Sequence, residues 1–520
     1  MKTEVEVNML DKVNQLLAKI GLLKKGGGEE KIIKRKEKGL MTARERIEEL
    51  LDKNTFNEMD LFVEHQGRDF GQEKLKLAGD AVVTGFGNID GRPVCIFAQD
   101  FTVQGGTLGR MTASKITKVM DIASNMGIPV IGINDSGGAR IQEGVDSLAG
   151  YGEIFYRNTI NSGKIPQISV IMGPCAGGAV YSPAITDFVF MVDKLSQMFI
   201  TGPKVIESVL KEKIDAESLG GARVHNEITG NAHFFAESEI EAITQIKELL
   251  SFLPSSWNKP LPETKPHPPK SKKKIEDIMP NDSRYAYDMK DLIEILVDES
   301  YFFEVQKMFA PNITVGFARM DGKPIGIVAN NPKYLAGVLD VDSSDKAARF
   351  VRFCDSFNIP ILTLVDLPGY LPGIDQEHYG VIRHGAKLLF AYSEATVPTV
   401  TVIIRKAYGG GYIAMASKHL RTDFVYAWPT AEIAVMGPEG ACNIIFSKEI
   451  SESADPDALR KSKINEYKEK YSNPYNAASK AYVDAIITPE ETRDKIITSF
   501  ELGKNKDIPK KQHKHDSIPL

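Results

Sequence analysis

Four glycine-rich stretches carry the residue types in this chain best placed to do chemistry. Asp135-Ser136-Gly137-Gly138-Ala139-Arg140 and Gly173-Pro174-Cys175-Ala176-Gly177-Gly178-Ala179 form one set. Asp366-Leu367-Pro368-Gly369 and Tyr408-Gly409-Gly410-Gly411-Tyr412 form the other. Each follows a short apolar run that reads as a strand. Without a Cβ the backbone can approach a ligand closely. A helix that starts at such glycines presents N–H groups without intrahelical acceptors, at the positive end of its dipole. Two such donors make a hole for a developing oxyanion. A single Gly-Gly pair favours the plainer reading of a tight turn. Corresponding pairs, flanked by polar residues at strand ends, favour the chemical one.

Other motifs fail on inspection. Gly85-Phe86-Gly87 lacks the third glycine of a dinucleotide fingerprint, and no G-x-x-x-x-G-K-[ST] phosphate loop occurs. Ser136 is not in a G-x-S-x-G elbow, because position 134 is Asn134. None of the nine histidines forms an H-E-x-x-H pair, and His378 and His384 read as polar or packing residues. Asp375-Gln376-Glu377 reads as a solvated loop more readily than as an acid–base cluster. No metal site is expected.

The elements that must position the glycines occur twice. Asp90-Gly91-Arg92-Pro93 returns 231 positions later as Asp321-Gly322-Lys323-Pro324. Gly85-Phe86, Gly127-Ile128-Pro129-Val130 and the Asp135/Gly138 pair return at the same offset. Gly177-Gly178 returns as Gly409-Gly410 at 232, and Thr186-Asp187-Phe188-Val189 as Thr422-Asp423-Phe424-Val425 at 236. Two long copies mean a duplicated domain, not a solenoid. Short β-branched runs (Val94–Ala98, Val130–Ile133, Ile168–Met172, Phe188–Val192) alternate with helical segments such as 114–125. The second copy repeats them at Ile325–Ala329, Ile361–Val365, Val400–Ile404 and Phe424–Ala427, with a helical segment at 347–357. The spacing predicts α/β domains with largely parallel sheets buried on both faces.

Flanking segments complete the division. Met9, Leu10, Val13, Leu16, Leu17 and Ile20 recur at helical spacing, and Gly26-Gly27-Gly28 ends that helix. Thr42-Ala43-Arg44-Glu45 reads as a capping box. Six prolines between Pro254 and Pro269, followed by lysines, mark a linker. The expected domains are 1–30 (accessory helix), 31–262 and 263–520. The chain has 520 residues, with 64 Lys+Arg against 69 Asp+Glu and a net charge of −5. That balance argues against nucleic-acid binding. No run of 18 apolar residues occurs, so no membrane span is expected. Four scattered cysteines, Cys95, Cys175, Cys354 and Cys442, argue for a reducing compartment. With no apolar leader visible, the expectation is a cytoplasmic protein.

Longer motifs carry a family resemblance. They are Phe101-Thr-Val-Gln-Gly-Gly-Thr107, Asn134 to Gly144, Gly173 to Pro183, Arg405-Lys-Ala-Tyr-Gly-Gly-Gly411 and Trp428 to Gly437. From about Lys38 to the C-terminus the chain resembles biotin-dependent acyl-CoA carboxyltransferase subunits. These include the propionyl-CoA carboxylase β subunit, the methylmalonyl-CoA decarboxylase α subunit and the transcarboxylase large subunit. The resemblance implies two tandem crotonase-like (ClpP/crotonase, spiral ββα) domains. It implies transfer of carboxylate between carrier-bound biotin and the α-carbon of a short acyl-CoA, propionyl-CoA or methylmalonyl-CoA first. Gly177 and Gly178 would hold the thioester oxygen as an enolate. Gly410 and Gly411 would hold the biotin ureido oxygen. Gly137, Gly138, Ala139 and Arg140 would line the CoA side, and Tyr412 and Ile413 would complete the substrate site. The implied partners are a homohexamer, with the N-domain of one chain facing the C-domain of another, a biotin carboxyl carrier protein, and a biotin carboxylase or a membrane decarboxylase subunit.

Departures from the pattern are informative. Ile413 stands where propionyl-CoA carboxylases commonly carry Asp, which would reshape the acyl pocket. Gly411 stands where many members have Ala, and either residue supplies an N–H. Gly437 to Phe446 looks closer to the decarboxylase and transcarboxylase branch. No C-x-x-C zinc ribbon and no Met-Lys-Met biotin-attachment stretch occurs, so the biotin comes from another chain. Alternatives are the same fold acting on acetyl-CoA or another acyl-CoA, a stand-alone crotonase-type hydratase or hydrolase, and a noncatalytic acyl-CoA-binding scaffold. A stand-alone enzyme needs a side-chain acid–base pair near one set of glycines, and a scaffold needs no matched pair.

Overall fold

The computed structural model describes residues 8–282, 284–506, 508 and 514–520. The first seven residues of the accessory segment lie outside the described residues. The chain divides into two compact units, Met1–Pro260 and Leu261–Leu520.

The first unit opens with an arm of two helices, α1 (Met9–Leu23) and α2 (Glu29–Lys36). The glycine run Gly26 to Gly28 separates them, with Gly28 at the N-cap of α2. Helix α3 (Ala43–Leu50) follows, started by the expected capping box. The Thr42 amide donates to Glu45 Oε2 (2.9 Å) and the Glu45 amide to Thr42 Oγ1 (3.3 Å). Its face of Ala43, Ile47 and Leu50 is buried.

The sheet of this unit has eight strands. They are β1 (Asn57–Met59), β2 (Val82–Ile89), β3 (Arg92–Gln99), β4 (Val130–Ser136), β5 (Gln167–Ala176), β6 (Phe188–Val192), β7 (Gln197–Phe199) and β8 (Phe234–Ala236). The order is β1-β2-β3-β4-β5-β6-β8, with β7 branching from the far end of β5. β1, β2 and β3 are antiparallel neighbours, and the rest pair in parallel. β4 is buried along its whole length, as a parallel strand covered on both faces must be. Helices α4 (Arg110–Met126) and α5 (Val145–Asn161) pack together beside it.

The second unit repeats this plan. Its strands are β9 (Phe302–Val305), β10 (Ile313–Met320), β11 (Lys323–Asn330), β12 (Ile361–Leu367), β13 (Thr399–Tyr408), β14 (Phe424–Ala427), β15 (Glu432–Ala434) and β16 (Ala485–Ile486). The order β9-β10-β11-β12-β13-β14-β16, with β15 branching from β13, is the same. Irregularities also coincide. The β4–β5 register breaks between Asn134 and Ser136, and the β12–β13 register between Val365 and Leu367. Asp135 and Asp366 sit in those breaks. The proline-rich segment 260–274 forms no helix or strand, and the Thr264 amide ties it to the Gly322 carbonyl at 2.9 Å. No helix of the described residues is long and apolar enough to cross a membrane.

Candidate active site

Each parallel strand that ends in a glycine pair turns directly into a helix. β5 runs into a helical turn at Gly177–Val180, and β13 into the short helix Gly409–Ala414. Gly177 (φ +61°) and Gly409 (φ +59°) begin these turns in the left-handed region, where a side chain costs roughly 1–2 kcal/mol. The next amides lie in a first helical turn and have no intrahelical acceptor. In the first unit these belong to Gly178 and Ala179, in the second to Gly410 and Gly411. The repeat therefore pairs Gly410-Gly411 with Gly178-Ala179. The sequence-derived pair Gly177-Gly178 is one residue out of step with it.

A second loop presses on each turn. A Cβ on Gly138 would lie 2.9 Å from the Ala176 carbonyl oxygen, and one on Gly411 would lie 3.2 Å from Gly369 Cα. So the structure brings the Gly137–Arg140 loop to the Gly177 turn, and the Gly369 loop to the Gly409 turn. Backbone bonds hold both loops alike. Leu108 N–H donates to Gly138 O (2.9 Å) and Arg140 N–H to Leu108 O (2.9 Å). Leu339 N–H donates to Gly369 O (3.0 Å) and Leu371 N–H to Leu339 O (2.7 Å). Gly137 is exposed, Gly138 buried and Ala139 intermediate. Gly410 faces open space, with no atom within 4 Å of an added Cβ, whereas a Cβ on Gly178 would lie 3.0 Å from the Tyr151 ring. Tyr412 and Ile413 follow on the same short helix, and Ile413 is 39% exposed.

Arg140 lies at the end of that loop with its side chain turned to internal partners. It is 1% exposed, and its guanidinium is taken by Asp80 (2.6 Å), Glu143 (2.7 Å) and the Thr107 carbonyl (3.0 Å). A cation so engaged braces the loop and does not reach out to an anion.

Several supporting residues escaped sequence reading. Lys115 and Lys346 stand 231 positions apart and are each 2% exposed. Lys115 donates to the carbonyls of Gly79 and Val82, and Lys346 to those of Gln306, Phe309, Ala310 and Ile313. Burial pushes them down to about 8 and about 7. Gln99 and Asn330, at the same offset, each accept from the amide of the strand-end aspartate and donate to Gly106 or Gly337. The signal was available: the repeat offset, applied to polar residues inside the strands and helices.

The strand-end carboxylates are closed to solvent. Asp135 takes Arg35 (2.5 Å) and Arg46 (2.8 Å), and Arg46 also reaches Glu239 and the Met172 carbonyl. Asp366 takes Arg405 (2.7 Å) and the Lys406 amide, with Arg405 stacked 4.8 Å over the Tyr287 ring. Burial raises both carboxyls against the pull of their arginines. Side chains near the turns are poor bases for the same reason. Burial pushes the Cys175 thiol and the Tyr412 hydroxyl up to about 12. Burial and the Glu432 carboxylate raise Tyr408 further. Among the described residues no group of three or more His, Cys, Asp or Glu is placed to hold a metal ion. The chemistry on offer is backbone hydrogen bonding from the two glycine turns.

Residues 34–518 match the carboxyl transferase domain. The chain belongs to that family. It is a carboxyltransferase with the duplicated crotonase-like fold. It is 55% identical to the propionyl-CoA carboxylase carboxyltransferase subunit of Haloferax mediterranei, over 99% of this chain and 100% of that protein. It is 55% identical to the methylmalonyl-CoA decarboxylase subunit alpha of Veillonella parvula, over 98% and 99%. The crystal structure of transcarboxylase 12S, described as a hexamer assembly with hydrolysed methylmalonyl-coenzyme A bound, superposes with a TM-score of 0.96. That match has 48% identity over 99% of this chain and 100% of that one. The similarity thus extends through the N-terminal arm, which the motifs alone left unexplained.

Proposed function

We propose that this carboxyltransferase moves carboxylate between biotin on a separate carrier and the α-carbon of propionyl-CoA or methylmalonyl-CoA. The observation that carries the reading is the doubled glycine turn. A transfer between two substrates, each developing an oxyanion, uses two donor sets, whereas a hydratase or hydrolase uses one. The named relatives and the methylmalonyl-CoA-type ligand of transcarboxylase support the acyl group. Exposed apolar rims beside both turns support assembly into a homohexamer. Exposed Ile200 lies beside the first and exposed Val435 beside the second. In that hexamer the first unit of one copy works with the second unit of another. A biotin carboxylase or a membrane decarboxylase subunit supplies the coupling.

The chain's own groups act as follows. The amides at Gly178 and its neighbours in the Gly177 turn hold the thioester oxygen as negative charge develops on it. The amides of Gly410 and Gly411 hold the ureido oxygen. The open face at Gly410, bordered by exposed Ile413 and Val435, fits a flat, largely apolar bicyclic ring. Biotin would supply the carried carboxyl group and, as the ureido anion left when that carboxyl departs as carbon dioxide, the base that takes the α-proton. No side-chain base is then required, which fits the raised Tyr412 and Cys175. Each donor of this kind is worth about 10²–10³ in rate.

The test mixes purified chain with methylmalonyl-CoA and either free biotin or a biotinylated carrier. Biotin-dependent carboxyl transfer is expected. Turnover that ignores biotin would refute the reading. A panel of acyl-CoA substrates on wild type and Ile413→Asp, in the same assay, reports how the apolar residue sets acyl preference.

A further inference from the structure

The N-terminal arm touches the first glycine site at two points. Arg35, on α2, places Nη2 2.5 Å from Asp135 Oδ2, and its side chain is only 9% exposed. Its Nε donates to the Met41 carbonyl at 2.6 Å, which fixes the guanidinium in place. Asp135 in turn abuts β5: its Oδ1 lies 2.0 Å from where a Cβ on Gly173 would stand. It is also two residues before Gly137. The carboxylate therefore lies between the strand that delivers the Gly137–Gly138 loop and the strand that delivers the Gly177 turn.

The second point is the loop after β3. Gly27 N–H donates to Thr102 Oγ1 (3.0 Å) and Lys31 Nζ to the Thr102 carbonyl (2.9 Å). The contact is tight, since a Cβ on Gly27 would fall 1.9 Å from that carbonyl oxygen. Three residues on, the Gly105 carbonyl accepts from the Gly137 amide at 2.9 Å. Both grips of the arm thus converge on the Gly137–Gly138 loop.

The second unit has no second guanidinium at this point; the off-sheet group that reaches Asp366 is the Tyr287 hydroxyl, over whose ring Arg405 stacks. Its charged and backbone donors to Asp366, Arg405 and the Lys406 amide, both come from the adjacent strand β13. We propose that Arg35 is a positioning residue for the Gly137–Gly138 loop and the Gly177 turn, and that the arm serves the acyl-CoA half of the reaction alone. This rests on the functional reading above, which assigns acyl-CoA to the first unit. Arg35 touches no reacting atom. It acts by neutralising and orienting Asp135.

The experiment uses the full chain with Arg35→Met and Arg35→Lys. Hydrogen exchange is followed in peptides covering 100–107 and 134–140, with 331–338 and 365–371 as the counterparts in the second unit. Arg35→Met should speed exchange in the first pair and leave the second pair unchanged. In the transfer assay it should lower kcat/KM for methylmalonyl-CoA by roughly 10- to 100-fold, the scale of a small misplacement of reacting groups. The KM for free biotin should not change. Arg35→Lys keeps the charge and should recover part of the loss. Equal exchange in all four peptides, or a rise in KM for biotin equal to that for methylmalonyl-CoA, would overturn the proposal. A wild type that transfers nothing would refute the functional reading instead, and the exchange comparison would then decide for or against the arm.

Discussion

The two units hold the same buried carboxylate by different means. Asp135 is shared by two guanidiniums that arrive from helices outside the sheet, Arg35 on α2 and Arg46 on α3. Asp366 relies on one, Arg405, which comes from the next strand of its own sheet. Backbone geometry has been kept across the duplication: the register breaks, the left-handed glycines and the paired loops coincide. The supports have diverged. Backbone placement of the amides is what an oxyanion site needs, and any set of buried charges that preserves it serves.

The largest effect tests whether the single guanidinium is the weaker design. Arg405→Met leaves Asp366 buried with no guanidinium. Breaking a buried pair this way costs about 3–5 kcal/mol. Arg35→Met leaves Asp135 with Arg46, so the loss is that of one charged hydrogen bond, about 1.5–3 kcal/mol. Urea unfolding of both variants measures the gap. Equal losses would mean that the second guanidinium on Asp135 adds no protection.

A somewhat smaller effect separates the two turns. Gly410→Pro removes an amide donor and should lower kcat by about 10²–10³, or about 2.7–4 kcal/mol. Gly410→Ala keeps the donor and meets no atom within 4 Å, so it should keep most of the activity. Gly178→Ala also keeps its donor but drives a Cβ to 3.0 Å from the Tyr151 ring. It should fall between the other two. Steady-state kinetics on the three variants ranks them. If Gly410→Ala were as damaged as Gly410→Pro, the donor role of that amide would be lost.

Much of the fold was legible because duplication writes it twice. Strand runs such as Phe188–Val192 match β6 residue for residue, and the expected parallel core is present. The glycine turns were legible because glycine is conspicuous. Charged supports were harder to read. Arg140 invites a ligand in one dimension, but its partner Asp80 lies 60 residues away and closes over it. Arg35 lies 100 residues from Asp135, in a Lys/Arg-rich stretch just after the Gly26-Gly27-Gly28 break. Lys115 and Lys346 lie on helices whose periodicity predicts only packing, and the carbonyls they cap come from loops and the first residues of β2 and β10, where no pattern announces them. Sequence pattern reports faces and turns. It does not report which distant carboxylate or carbonyl a buried cation meets.

Those lysines supply the finest test of the comparison. Lys346 meets four carbonyls and Lys115 two, and burial lowers them to about 7 and about 8 from 10.5. Below pH 7 each amine is charged in the folded and the unfolded chain alike. Between the folded value and 10.5 the unfolded chain holds more protons, so stability rises with pH over that window. For Lys346 the rise begins near pH 7, and for Lys115 one unit higher. Urea unfolding from pH 6.5 to 10 on wild type, Lys346→Met and Lys115→Met isolates each contribution. Lys346→Met should flatten the curve from pH 7 upward, and Lys115→Met only from pH 8. Parallel curves for wild type and Lys346→Met would show that the four carbonyls hold the ammonium charged in spite of its burial. The two units would then differ in hydrogen-bond count but not in titration.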